Sequence, residues 1–260
     1  MNAPVHSPVL LYGERQPATV ALASAALDLS AQQAFVLPDA DILYVLFEMP
    51  MNTAIARLPV SLHPSIPAAL GITFVHAKNS PFGPFTLVYV GIACRTGIKP
   101  RHFITGAFCD NADARAFFTN RYGFACAPAT VDYHETYDRV RGAISQNGKP
   151  LLDLAIVECQ PLVGAGGMIK YSPPLTATQV NDHAALVQFE AAYDFKRSVR
   201  GKPRLVHYDA LALGDLAVAP VFPIAGSHAV CDLHLLPIRF EVDLEVPAEQ
   251  GGARKIARAS

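Results

Sequence analysis

Most of the chain is built from short apolar and β-branched runs divided by scattered proline and glycine, 21 and 17 residues in 260. Runs of this length and composition, punctuated in this way, predict strands. "DILYVLFEMP" (Asp41 to Pro50), "GITFVHA" (Gly71 to Ala77), "FTLVYVGIACR" (Phe85 to Arg95) and "RHFITGAF" (Arg101 to Phe108) read so, as do "RLVHYDALALGDLAVAP" and "IRFEVDLEVP". One helix stands out in the first half: Asp110 or Asn111 caps a turn that runs through "ADARAFFTNRY". "ATVDYHETYDRVRGAI", "SQNGKP" and "LLDLAIVECQPL" predict a long hairpin, because Asn147-Gly148 supplies the positive φ angles of a type I′ turn. By contrast, Leu162 to His183 is Gly/Pro-rich and aperiodic, and reads as a lid or crossing loop. With no internal repeat or composition break, the expectation is one α+β domain, mostly antiparallel β.

Composition narrows the function. The chain is 51% apolar and 17% charged, yet no run approaches the ~18 apolar residues of a membrane helix. The start lacks a basic segment followed by an apolar stretch and a cleavage site, so the expected location is cytoplasmic and no membrane partner is expected. A net charge of -1 provides no field for phosphate backbones, and nucleic acid is not an expected partner. Five widely spaced cysteines form no CxxC pair, which points to reduced thiols rather than a disulfide framework or zinc site.

Three stretches carry candidate chemistry. "GAGG" (Gly164 to Gly167) lacks the full dinucleotide-binding spacing and reads as loop. "DYHETYD" (Asp132 to Asp138) places Asp132, His134 and Asp138 on one strand face and Glu135 with two tyrosines on the other. A solvated face is the commoner outcome, and neither metal nor cofactor is expected. "GSHAVCDLHLLP" (Gly226 to Pro237) contains Ser227, His228, Cys231, Asp232 and His234, but triads are assembled from residues distant in sequence.

"LYVLFEMPMNTAIARLPVSL" (Leu43 to Leu62), "FGPFTLVYVG" (Phe82 to Gly91) and "SHAVCDLHLLP" (Ser227 to Pro237) together resemble the acetoacetate decarboxylase superfamily over roughly residues 38 to 245. "YGFACAP" is the counterpart of that family's lysine box. The resemblance implies a β-cone or barrel with a few flanking helices and a homo-oligomer, flanked by an N-terminal extension over 1–37; "ARKIARAS" after "EQGG" reads as a disordered basic tail over 246–260. It also implies a changed site. The Schiff-base lysine and its neighbour fall on Cys126 and Ala127, two pocket glutamates on Leu87 and Ile72, and a pocket arginine near Ala40. An imine needs a primary amine, so Schiff-base decarboxylation is not expected, and an apolar pocket suits a largely hydrophobic small molecule.

Two expectations follow. In the first, the chain is a lysine-independent enzyme of lyase, hydratase or isomerase type acting on a small keto, enol or unsaturated compound. Cys126 is then the nucleophile, His76 a base and Tyr89 a donor to the substrate oxygen, with His76 and Tyr89 sharing the pocket face by strand alternation. Arg95 or Arg101 would hold a carboxylate, and Phe124 and Tyr122 would line the pocket. In the second, the fold keeps the pocket without the chemistry, and Cys126 is a small buried hydrophobe in a ligand-binding pseudoenzyme.

Overall fold

The computed structural model describes residues 11–20, 22, 26–27, 29, 33–162, 171–180, 183–210 and 220–256. Strands dominate. In chain order they are β1 Ala26–Leu27, β2 Phe35–Glu48, β3 His63–Pro64, β4 Ala69–Ala77, β5 Phe85–Thr96, β6 Lys99–Cys109, β7 Cys126–Pro128 and β8 Thr130–Glu135. They continue as β9 Arg139–Gln146, β10 Lys149–Pro161, β11 Pro174–Val180, β12 His183–Gln188, β13 Ala191–Tyr208, β14 Pro223–Leu235, β15 Phe240–Asp243 and β16 Ala253–Lys255. Among the described residues two α-helices accompany them, α1 Met51–Arg57 and α2 Ala112–Tyr122.

The strands pair in the order β16-β15-β12-β11-β6-β5-β4-β2-β14-β13-β10-β9-β8, with β1, β3 and β7 attached off this path. Pairing is antiparallel except where β11 meets β1 and β6 and where β6 meets β7. The fold is therefore the mostly antiparallel α+β arrangement that the pattern predicts. The expected closure into a barrel is corrected: β8 and β16 are the two ends of the path, and no ladder joins them among the described residues.

Local signals work where a specific side chain or φ angle decides. Asn111 caps α2, its side chain accepting from the backbone N–H of Asp113 and Ala114 at 3.0 Å each, while Asp110 accepts from Thr86 N at 2.7 Å. Gly123 ends α2 at φ 70°, and Asn147 and Gly148 take φ 51° and 76° at the hairpin turn. Three readings change. The first arm of the long hairpin breaks at Thr136–Asp138 into β8 and β9, which makes a three-stranded meander with β10. Within the stretch expected to be a lid, Pro174–Val180 is a strand with six of seven residues buried, and its alternating Thr176, Thr178 and Val180 supply the β-branched signal. Residues 163–170 and 181–182 of that stretch, including the "GAGG" segment, lie outside the described residues, as do 211–219 of the expected strand after Arg204. Part of the expected tail, Ala253–Lys255, pairs with β15.

Strand alternation distributes the apolar side chains to both faces of the sheet, giving two cores. One holds Leu43, Val45, Ile72, Phe74, Val88, Val90, Ile144, Leu154 and Ile156. It forms because the sheet folds over itself, so closely that a Cβ on Gly142 of β9 would lie 2.6 Å from the Phe74 ring of β4. The other core holds Ala40, Ile42, Val75, Leu87, Tyr89, Ala107, Phe118, Tyr122 and Phe124, covered by α2. No helix among the described residues is long and apolar enough to cross a membrane.

Candidate active site

Register assembles a line of side chains across six strands. Partners run from Ser227 (β14) to Tyr44 (β2), Thr73 (β4), Tyr89 (β5), Ala107 (β6) and Cys126 (β7). Directly paired residues project to the same face, so one tyrosine-rich stripe lies on the face of the α2-covered core. Aromatic contacts extend it. Tyr171 stands edge-on to Tyr44 at 5.6 Å and tilted against Tyr193 at 5.1 Å, and Tyr89 lies 5.6 Å from Phe124.

His102 is the imidazole of this face. Its Nε2 is 3.3 Å from the Tyr44 hydroxyl, and its side chain is buried over two glycines. A Cβ on Gly71 would come within 2.8 Å of His102 Nε2, and one on Gly91 within 3.2 Å of His102 Cβ, so the glycines provide the space. Burial lowers the imidazole pKa to about 4, against the opposing hydrogen bond to the Ser172 backbone. The neutral ring has one donor and one acceptor nitrogen, and the tautomer with the proton on Nδ1 makes Nε2 the acceptor facing Tyr44. Burial raises the phenols in turn: Tyr89 is pushed up to about 12 despite the neighbouring Thr73 hydroxyl, and Tyr44, Tyr171 and Tyr193 are raised as well. At neutral pH the face presents uncharged donors and one uncharged acceptor in an apolar setting.

Of the residues expected at a pocket, Ala40, Leu87, Tyr89, Phe124 and Tyr122 belong to this core, with Cys126 packed against it. Cys126 sits in the seam under α2, beside a groove of about 560 Å³ lined by Arg115 and Thr119. Burial, reinforced by Cys109, pushes its thiol up to about 12, with Arg115 and Thr119 opposing.

Other expected members fall elsewhere. His76 does not share the face of Tyr89: it pairs with Thr86, and Thr73 pairs with Tyr89, so His76 and Ile72 project to the opposite side. Alternation held within each strand, but the register between strands set the faces. His76 Nδ1 lies 2.9 Å from Thr86 Oγ1, and its ring stacks on Tyr133 at 4.9 Å. Ala127 packs against the opposite core. Arg95 is exposed, and Arg101 is spent on structure, donating to Gln188 Oε1 at 2.6 Å and to the Thr96 carbonyl at 3.0 Å. Sequence reasoning missed His102, Tyr44, Tyr171 and Tyr193. The alternation of His102 with Ile104, and of Tyr44 with Ile42, was the available signal.

No protein-family model and no curated protein matches the sequence. Solved structures do. An acetoacetate decarboxylase from Legionella pneumophila superposes with a TM-score of 0.68 at 17% identity, covering 80% of this chain and 86% of that one. MppR, an enduracididine biosynthesis enzyme complexed with pyruvate, gives 0.64 at 15% identity over 87% and 91%. An acetoacetate-decarboxylase-like enzyme from Sphingomonas wittichii RW1 gives 0.58 at 14% over 87% and 93%. One open, mostly antiparallel sheet with a core on each face, a helix sealing the tyrosine-bearing face and these superpositions together establish that the chain has the acetoacetate decarboxylase fold.

Proposed function

We propose that this protein is a lysine-independent enzyme, of lyase, hydratase or isomerase type, acting on a small, largely hydrophobic keto, enol or unsaturated compound at the tyrosine face. The observation that carries this reading is the 3.3 Å contact between the Tyr44 hydroxyl and His102 Nε2, on the buried face that also bears Tyr89. In this reading His102 Nε2 accepts the proton α to the substrate carbonyl. The C–H electron pair becomes the enolate, whose oxygen takes hydrogen bonds from the Tyr44 and Tyr89 hydroxyls. Return of the proton to a different carbon, or loss of a β-substituent, completes an isomerase or lyase turnover. Each well-aimed donor to a developing oxyanion in a dry site is worth on the order of 10²–10³ in rate.

His102 thus takes the role that the sequence suggested for His76, and Tyr89 keeps its expected role as donor. Cys126 is assigned to packing. Pyruvate, the molecule in the similar MppR structure, is a small but anionic keto compound, and butanone is an uncharged ketone that fits the apolar face better; the pair serves as first probes.

The test is deuterium exchange at the carbon next to the carbonyl, followed by proton NMR in D2O with pyruvate and butanone. The wild-type protein should accelerate exchange above buffer for at least one of them. Tyr89→Phe and His102→Gln should each lower that rate by about 10²-fold or more with melting temperature retained for Tyr89→Phe. Binding without exchange in the wild type would sink the enzymatic reading in favour of a ligand-binding pseudoenzyme.

A further inference from the structure

The face opposite the tyrosines carries a second polar cluster. Asp41 of β2, Glu135 at the end of β8 and His228 of β14 are brought together from positions as much as 187 residues apart. His228 Nε2 lies 3.2 Å from Asp41 Oδ1, and His228 Nδ1 lies 3.7 Å from Glu135 Oε1. One ligand atom from each of the three falls within 4.8 Å of the others. Ligand atoms sharing one cation stand roughly 3–4 Å apart when each bond is about 2.1 Å, so a contraction of about 1 Å suffices. Asp41 and His228 are rigidly placed, each 1% exposed on central strands, while Glu135 at the rim supplies the movable arm.

Tyr133 provides an independent sign of a missing partner. Its hydroxyl is buried and has no hydrogen-bond partner, and its electrostatic neighbours include Asp41 and Glu135. A buried hydroxyl is normally satisfied. The ring is held in place by stacking on His76 at 4.9 Å.

Two cations balance the carboxylates, and both reach in from solvent. Lys78 Nζ lies 2.9 Å from Asp41 Oδ2, and Arg197 Nη1 lies 2.6 Å from Glu135 Oε1, with side chains 60% and 51% exposed. Each is a long, flexible arm, Lys78 over the fixed Asp41 and Arg197 over the Glu135 carboxylate at the rim. One dication carries the charge of both.

We propose that Asp41, Glu135 and His228 form a binding site for a first-row divalent cation of the Mn2+ or Zn2+ class, in which Lys78 and Arg197 supply the balancing charge when no metal is bound. One imidazole and two carboxylates suit this class, and the Tyr133 hydroxyl is positioned to accept or donate within its outer sphere. The proposal is independent of the chemistry assigned to the tyrosine face.

Mn2+ is the probe, because it prefers carboxylate and imidazole ligands and, unlike Zn2+, has little affinity for the partly exposed thiols of Cys126 and Cys159. The full chain is titrated with Mn2+ and the free ion followed by electron paramagnetic resonance, for wild type, Glu135→Gln and Lys78→Met, with thermal melts as the folding control. Wild type should bind one Mn2+ per chain, Glu135→Gln should bind at least about tenfold more weakly, and Lys78→Met should bind more tightly because its competitor is gone. Mn2+ left free by the wild type at millimolar concentration, undiminished binding by Glu135→Gln, or no gain in Lys78→Met would each overturn the proposal.

Discussion

A thiol reacts as its thiolate, and at Cys126 burial and the nearby Cys109 both disfavour that form, with Arg115 and Thr119 only partly opposing them. Alkylation by a small electrophile, read by peptide mass spectrometry, should therefore stay slow up to pH 8 in the folded protein and rise sharply on unfolding. A rate that plateaus with an apparent pKa well below about 8.5 would return Cys126 to the role of nucleophile. Leu87 shows the same logic from the apolar side: at 1% exposure it faces Val75 and Cys109, where a carboxylate would be unpaired. His76 of β4 and His102 of β6 project to opposite faces of the sheet. His102 is fully buried beside the Tyr44 phenol and lowered to about 4, and His76 is half-buried and lowered by burial, with Asp41 and Asp110 opposing that shift and Lys78 adding to it.

Elements position these residues through contacts that tolerate little change. β9 crosses β4 where Gly142 meets Phe74, with an ideal Cβ 2.6 Å from the ring. Gly142→Ala should destabilise the fold by about 1–3 kcal/mol, the usual range for overpacking a filled core, measured by urea denaturation. Phe74→Leu in the same chain should recover part of that loss, because the two effects share one contact. Additive losses would place the strain elsewhere. Helix α2 acts on the other face: its Asn111 cap and Gly123 terminus set its length, and Phe118 and Tyr122 seal the tyrosine-bearing core against Phe189.

For the whole molecule, the buried imidazole links stability to pH. The pKa of His102 falls from 6.5 in the unfolded chain to about 4 in the fold, so below pH 6.5 the unfolded state takes up a proton that the folded state refuses. Stability is then full above pH 6.5 and falls progressively towards pH 4, by up to about 3 kcal/mol. His76 contributes in the same direction. The carboxylates Asp41 and Glu135 behave oppositely in range: Asp41 is held low by His228 and Lys78 against its burial and Glu135 by Arg197, so their loss comes only below the ordinary carboxylate range. Chemical denaturation between pH 4 and 7 should show this slope in wild type and a flatter one in His102→Gln. An unchanged slope in the variant would assign the dependence to another group.

The chain alone determined what depends on neighbours in sequence. Short β-branched runs made strands, Asn111 and Gly123 bounded the helix, Asn147-Gly148 closed its hairpin, and the resemblance of three motifs pointed to the fold. Half of the site was legible too, since Leu87, Tyr89, Phe124 and Tyr122 share the core against which Cys126 packs. Only tertiary structure decided which residues of different strands face each other. A period of two tells which side chains alternate within β4 and within β5, but one step of register exchanges the faces. The pairing of Thr73 with Tyr89 put His76 on one side and His102 beside Tyr44 on the other. "DYHETYD" and "GSHAVCD" each carried candidate chemistry, yet the cluster that formed takes Glu135 from one and His228 from the other and joins them to Asp41, because folding a sheet over itself brings together strands that no local pattern connects.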